Sequence, residues 1–174
     1  KTIADPFIGK YSLVKVLTGV LRADSELFNT GKEVEEKSGK IYVLRGKEAI
    51  EVSELRPGDI GAMAKLNETE TGDTLARKQA PILYNAPQIS KPYTYKAYVA
   101  KNKGDEDRIA SGLAKLMEED RTLRAEVDAE NRQSLLYGIG DQQLDIVVSK
   151  LASRYKAEIV LEKPKFAFRE TIRK

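Results

Sequence analysis

Cysteine and histidine are both missing from this chain. Without cysteine there is no disulfide, no thiolate nucleophile and no thiolate zinc site. Without histidine there is no Ser-His-Asp triad and no imidazole metal centre. No Gly-x-x-x-x-Gly-Lys-Ser/Thr segment occurs, so the chain carries no P-loop. No apolar run approaches the roughly 20 residues that span a bilayer, and no charged-then-apolar leader opens the sequence. Catalysis here would have to rest on carboxylates, lysines, tyrosines or serines alone. The expectation is a cytoplasmic, monomeric, non-enzymatic chain with no membrane partner, no metal and no bound cofactor.

What is present is an ordinary globular composition: 174 residues, 41% hydrophobic, 33% charged, net charge +3. That length allows one or two domains. The charge is unevenly placed. Residues 1–88 balance 13 basic against 13 acidic side chains, whereas 89–174 hold 17 against 14. Residues 150–174 alone hold eight basic and three acidic side chains, an excess of the kind that attracts phosphate backbones, or else a solvated face.

The first half reads as strands and turns. Tyr11–Leu21 is rich in Val and Leu, Ile41 and Val43 alternate with polar neighbours, and Ile60, Ala62, Ala64 and Leu66 recur with period two. Between them stand turn signals at Ala23-Asp24-Ser25, Asn29-Thr30-Gly31, Arg45-Gly46, Arg56-Pro57-Gly58-Asp59 and Thr71-Gly72-Asp73. Short strands so spaced predict an all-β barrel or sandwich over residues 1–80. Thr71-Gly72-Asp73-Thr74 reads as a tight turn rather than a phosphate loop, with Gly72 at positive φ and Asp73 bonding back to backbone. Pro81, Pro87 and Pro92 mark 81–92 as a linker.

Residues 93–168 change rhythm. Tyr93–Lys101 alternates as a strand. Asp105–Asp120 places Ile109, Leu113, Leu116 and Met117 on one helical stripe, with an acidic first turn suited to the helix dipole. A strand at Leu123–Val127 turns through Asp128-Ala129-Glu130-Asn131 into Ser134–Ile139. Gly140-Asp141 then caps a helix burying Leu144, Val147, Val148, Leu151 and Tyr155, and Ala157–Leu161 is the last strand. The order predicts an α+β ferredoxin-like βαββαβ sandwich, both helices on one face of an antiparallel sheet. Residues 169–174 begin a connection onward.

Several segments together carry a family resemblance. They are Lys1-Thr2-Ile3-Ala4-Asp5-Pro6-Phe7, Pro57-Gly58-Asp59-Ile60, Thr71-Gly72-Asp73-Thr74-Leu75, Leu113-Ala114-Lys115-Leu116 with Glu118-Glu119-Asp120, and Arg169-Glu170-Thr171-Ile172. In this order and spacing they resemble the second and third domains of elongation factor G, entered after its guanine-nucleotide domain. The resemblance implies a β-barrel of the translation-factor type, resting on small-subunit ribosomal RNA, and a third domain set against a small-subunit ribosomal protein. It implies no chemistry in this chain. GTP and Mg belong to an absent N-terminal domain of the parent, and the other implied partners are that domain and the C-terminal domains. The chain departs from the family at Gly140-Asp141-Gln142-Gln143-Leu144-Asp145, where Gly-Glu-Leu-His-Leu-Glu is usual, and at Arg121, where Pro is common. Both departures point to a paralogue of the main translocase.

On this view the candidate ribosome or RNA contacts are Arg45 and Lys47 at a loop tip, with Lys10, Lys15 and Arg22. Glu118, Glu119 and Asp120 close a helix where carboxylates oppose the dipole. Either Arg121 and Arg124 neutralise them, or they meet a basic ribosomal protein or another domain. Asp141, Gln142 and Gln143 are candidates for an inter-domain contact. Two alternatives stay open. One is a ribosomal protection protein of the tetracycline-resistance type. The other is a stand-alone RNA-binding module stacking bases on Tyr93, Tyr95 or Tyr137.

Overall fold

The computed structural model describes residues 1–5, 9–46, 48–64 and 66–170. Two compact units divide the chain, Lys1–Gln88 and Ile89–Lys174. In the first, the strands are β1 (Thr2–Asp5), β2 (Gly9–Lys15), β3 (Leu21–Arg22), β4 (Glu26–Asn29) and β5 (Val34–Lys37). They continue with β6 (Ile41–Arg45), β7 (Glu48–Val52), β8 (Glu54–Leu55), β9 (Ile60–Ala64) and β10 (Leu75–Ala76). Every pairing is antiparallel: a five-stranded sheet β1-β2-β9-β6-β7, a three-stranded sheet β10-β4-β5 and a ribbon β3-β8. Val16, Leu27, Ile41, Leu55, Met63 and Leu66 form the core. This is the all-β unit, barrel or sandwich, that the turn spacing predicts.

The turns are closed by the residue types expected of them. Gly58 and Gly72 sit at φ 98 and 97, where a Cβ would be strained. Asp73 Oδ2 accepts the N–H of Glu70 at 2.9 Å and the Asn29 amide at 2.8 Å, which makes Thr71–Thr74 a structural turn. Period two along β9 does not hold. Ala62 and Met63 are both fully buried while Ile60 is 60% exposed. Adjacent residues of a strand point to opposite faces, so both faces of β9 are covered at its centre. Ile60 lies past the β6 pairing, which runs only through Ile41↔Met63 and Tyr42↔Ala62, and has Lys15 of β2 beside it.

The second unit comprises β11 (Thr94–Ala100), α1 (Glu106–Glu119), β12 (Arg124–Asp128), β13 (Gln133–Gly138), α2 (Asp141–Tyr155) and β14 (Ile159–Glu162). Its antiparallel sheet has the order β12-β13-β11-β14, the ferredoxin-like arrangement. Ile109, Leu113 and Leu116 of α1 meet Leu144, Val147 and Leu151 of α2 over Leu136 and Ile159 of the sheet. The helices approach closely because Gly112 has no side chain; a Cβ there would lie 2.7 Å from Leu151 Cδ2. Tyr98 and Ala100 pack against this core, so Tyr93, Tyr95, Ala97 and Val99 occupy the sheet face away from the helices.

Among the described residues no helix is long and apolar enough to cross a membrane.

Candidate functional site

The acidic end of α1 and the start of α2 meet through side chains. Glu119 is 8% exposed. Arg154 Nη1 donates to its two oxygens at 3.1 and 3.4 Å, and Lys150 Nζ stands 3.8 Å away. Both cations come from the last turns of α2. They offset a carboxylate that its own helix dipole would disfavour. Arg124, a sequence candidate for this task, instead pairs with Glu126. Asp120 Oδ1 accepts Thr122 N–H at 3.0 Å and the Thr122 hydroxyl at 2.6 Å. Glu118 and Arg121 are exposed.

Gln143 closes the arrangement. Its amide nitrogen donates to Asp120 Oδ2 and to Thr122 Oγ1, each at 2.7 Å. Its amide oxygen accepts the N–H of Ile139, again at 2.7 Å. Gln143 is thus the third helical residue, reaching back past the N-cap Gly140 to the N–H of Ile139. It is an internal tie between the end of α1 and the start of α2. The cap expected of Asp141 is absent: the N-cap position is Gly140, with no side-chain cap bond. Asp141 lies in the first turn, where its charge suits the dipole, and faces Lys96 Nζ at 3.4 Å. Gln142 is exposed. Tyr155, beneath this junction, has a buried hydroxyl without a hydrogen-bond partner among the described residues, and burial pushes its pKa up.

The basic candidates of the first unit are dispersed. Arg45 is exposed at the β6–β7 turn and bound to Glu48 at 2.9 Å, so its charge is locally offset. Lys47 lies outside the described residues. Lys10 is half-buried on β2, and Lys15 is exposed at its end. Arg22 lies on β3 opposite Glu54. Its guanidinium Nε stands 3.6 Å from Glu54 Oε2. The other oxygen of Glu54 accepts from Arg56 Nε and Nη2 at 3.0 and 2.9 Å. Sequence reasoning missed Glu54 and saw Arg56 only as part of a turn. The pairing with Arg22 is set by the β3–β8 register, between residues far apart in the chain, and leaves no local signature.

On the open sheet face of the second unit, Tyr95 and Tyr137 stack on each other, centroids 5.1 Å apart at 28°. Arg124 and Glu126 flank them on the same face. One face of each ring is therefore already taken, and neither strand carries a row of free aromatics.

Residues 1–78 match the family model for elongation factor G domain 2. Residues 89–163 match that for elongation factor G, domain III. A crystal structure of a protein from Thermus thermophilus is similar at a TM-score of 0.84 and 27% sequence identity over 95% of this chain. This chain covers only 25% of that structure. With a barrel and a ferredoxin-like unit that each match their own model, in this order, the chain belongs to the elongation factor G family, as its second and third domains.

Proposed function

We propose that the chain is the ribosome-docking middle of a translational GTPase, relaying the state of a GTPase domain toward the movement of tRNA and mRNA. The observation that carries this is the pair of adjacent domain matches. The chain itself does not fit GTP, for want of a P-loop, and no nucleotide step passes through it. GTP and Mg would be held by another domain of the parent.

Of the sequence candidates, Glu119, Asp120 and Gln143 serve as internal ties that keep α1 and α2 in one rigid arrangement. Glu118, Arg121 and Gln142 are exposed, and on this reading they meet a ribosomal protein or another domain. The replacement of the family histidine by Gln143 favours a paralogue. Glutamine makes the bracket without the titration near pH ~6.5 that an imidazole would bring.

The test is single-round movement of tRNA and mRNA by the parent protein, with ribosome-stimulated GTP hydrolysis followed in parallel. Movement with hydrolysis is the expected result for a translocase. Hydrolysis without movement assigns the parent to another ribosomal task. The absence of both hydrolysis and movement would refute the proposal.

A further inference from the structure

A cavity of about 510 Å³ opens into the first unit. Protein interiors hold few voids larger than one water, about 30 Å³, so this volume is a cleft rather than a packing defect. It lies within the range of about 300–1,000 Å³ that accommodates drug-sized ligands. Both sheets supply its apolar wall: Val14 and Met63 from β2 and β9, Leu27 and Leu75 from β4 and β10. The segment after β10 folds back along it. Tyr84 N–H donates to Thr74 Oγ1 at 3.1 Å, and Ala86 packs on Gly72, where a Cβ would lie 3.4 Å from the Ala86 Cβ.

One polar group of the wall is unmet. Thr2, Ser12 and Met63 are direct neighbours across β1, β2 and β9, so their side chains share one face. They are 2%, 4% and 0% exposed, and all three line the cavity, which makes that face the inner one. The Ser12 hydroxyl has no hydrogen-bond partner among the described residues. A buried hydroxyl left unmet is costly. The hydroxyls of Thr69 and Thr74 are engaged, the first with Glu36 and the second with the Tyr84 N–H. The charges of the lining stand apart from this wall. Every lysine, arginine and glutamate in it is exposed. Asp73 is half-buried, but its Oδ2 holds the Asn29 amide at 2.8 Å and the Glu70 N–H at 2.9 Å. The interior thus offers apolar surface and an unmet hydroxyl, with no charge to pair with an ionic ligand.

We propose that this cavity binds an uncharged, mainly apolar small molecule with one carbonyl oxygen, which accepts a hydrogen bond from the Ser12 hydroxyl. A carbonyl meets that hydroxyl without bringing a further N–H or O–H donor into an apolar wall. Val14, Met63, Leu27 and Leu75 cover the rest of the ligand. The site goes beyond the ribosomal function proposed above and does not rest on it.

The experiment titrates the 174-residue chain with two fluorescent probes. One is Prodan, a neutral naphthalene ketone whose emission moves to the blue in apolar surroundings. The other is dimethylaminonaphthalene, which lacks the carbonyl. Prodan should fill a single saturable site with a blue shift. Ser12→Ala should weaken Prodan about fivefold, the worth of one hydrogen bond, and leave the carbonyl-free probe unchanged. Leu75→Trp fills the cavity and should abolish the binding of both. The free Ser12→Ala chain should be no less stable in urea unfolding than the original, because the hydroxyl it loses has no partner. The two Ser12→Ala readouts decide the matter even where Leu75→Trp does not fold. Absence of saturable Prodan binding overturns the proposal. So does Prodan affinity untouched by Ser12→Ala, equal weakening of both probes, or a Ser12→Ala chain that is destabilised. Binding that persists in a folded Leu75→Trp chain places the probe elsewhere and overturns it too.

Discussion

Truncating Gln143 to alanine is the sharpest test of the internal tie between α1 and α2. The change removes three hydrogen bonds of 2.7 Å, to Asp120, Thr122 and the Ile139 N–H. The bond to the Asp120 carboxylate is charge-assisted, worth about 1.5–3 kcal/mol, and the bond from Ile139 about 1 kcal/mol. The third adds little, because Thr122 keeps its own bond to Asp120. Gln143 is half-buried, so water replaces part of what is lost, and truncation frees a flexible side chain. The expected net cost is about 2 kcal/mol. For a domain of this size that lowers the melting temperature by about 8–16 °C. Urea and thermal unfolding followed by circular dichroism read the stability. Hydrogen exchange supplies the local reading. The Ile139 amide should lose protection beyond the global change, whereas Leu136 at the sheet centre should follow the global change alone. Gln143→Glu sharpens the sign. It sets a second carboxylate against Asp120, which raises the pKa of the pair above the unfolded value near ~4.3. The folded state then binds more protons than the unfolded one, so this variant loses stability as pH rises above about 4 and recovers it below. A loss under about 0.5 kcal/mol for Gln143→Ala, with Ile139 protection unchanged, would refute the tie.

Two further outcomes follow from close packing and from a turn. Gly61→Ala should destabilise the barrel by about 1–3 kcal/mol in urea unfolding. Its Cβ would fall 2.3 Å from Leu55 Cδ1 and 2.9 Å from the Tyr42 carbonyl, a buried side chain and a backbone atom that cannot step aside together. A neutral result would mean that the β6–β9 contact is looser than the structure has it. Asp128 is held below the usual carboxylate range, first by the Gln133 amide and then by the Asn131 side chain and backbone. A depressed folded pKa gives stability that is present above about 3.9 and lost as pH falls through the folded value. The stability difference between the original chain and Asp128→Asn should therefore shrink below pH ~4, and a difference independent of pH would count against the turn.

Much of the second unit was legible in advance, because its elements are set by local periodicity. The stripe Ile109, Leu113, Leu116 marks α1, and Leu144, Val147, Leu151 marks α2; all six are buried. Two helices among four strands then leave few ways to cover one sheet. The Asp128 turn was legible for the same reason, since its partners lie within five residues. The barrel was legible as a class from its turns, but not in its register. Ile60, Ala62 and Ala64 alternate in sequence, yet β9 is covered on both faces at Ala62 and Met63 and open at Ile60.

The site residues divide along the same line. That Gln143 and Asp120 are polar residues at helix ends is written in the sequence; that they touch depends on two helices stacking on one sheet across 23 positions. The same holds for Glu119 with Arg154, and for Arg22 with Glu54. By itself the sequence determined composition, the excluded chemistries, the helical stripes and the turns, each read within a few residues. Only the tertiary structure decided which charges are spent inside the molecule and which face outward. The physical reason is that an ion pair or a side-chain hydrogen bond is defined by distance in space, and strand register and helix packing set that distance between residues far apart in the chain.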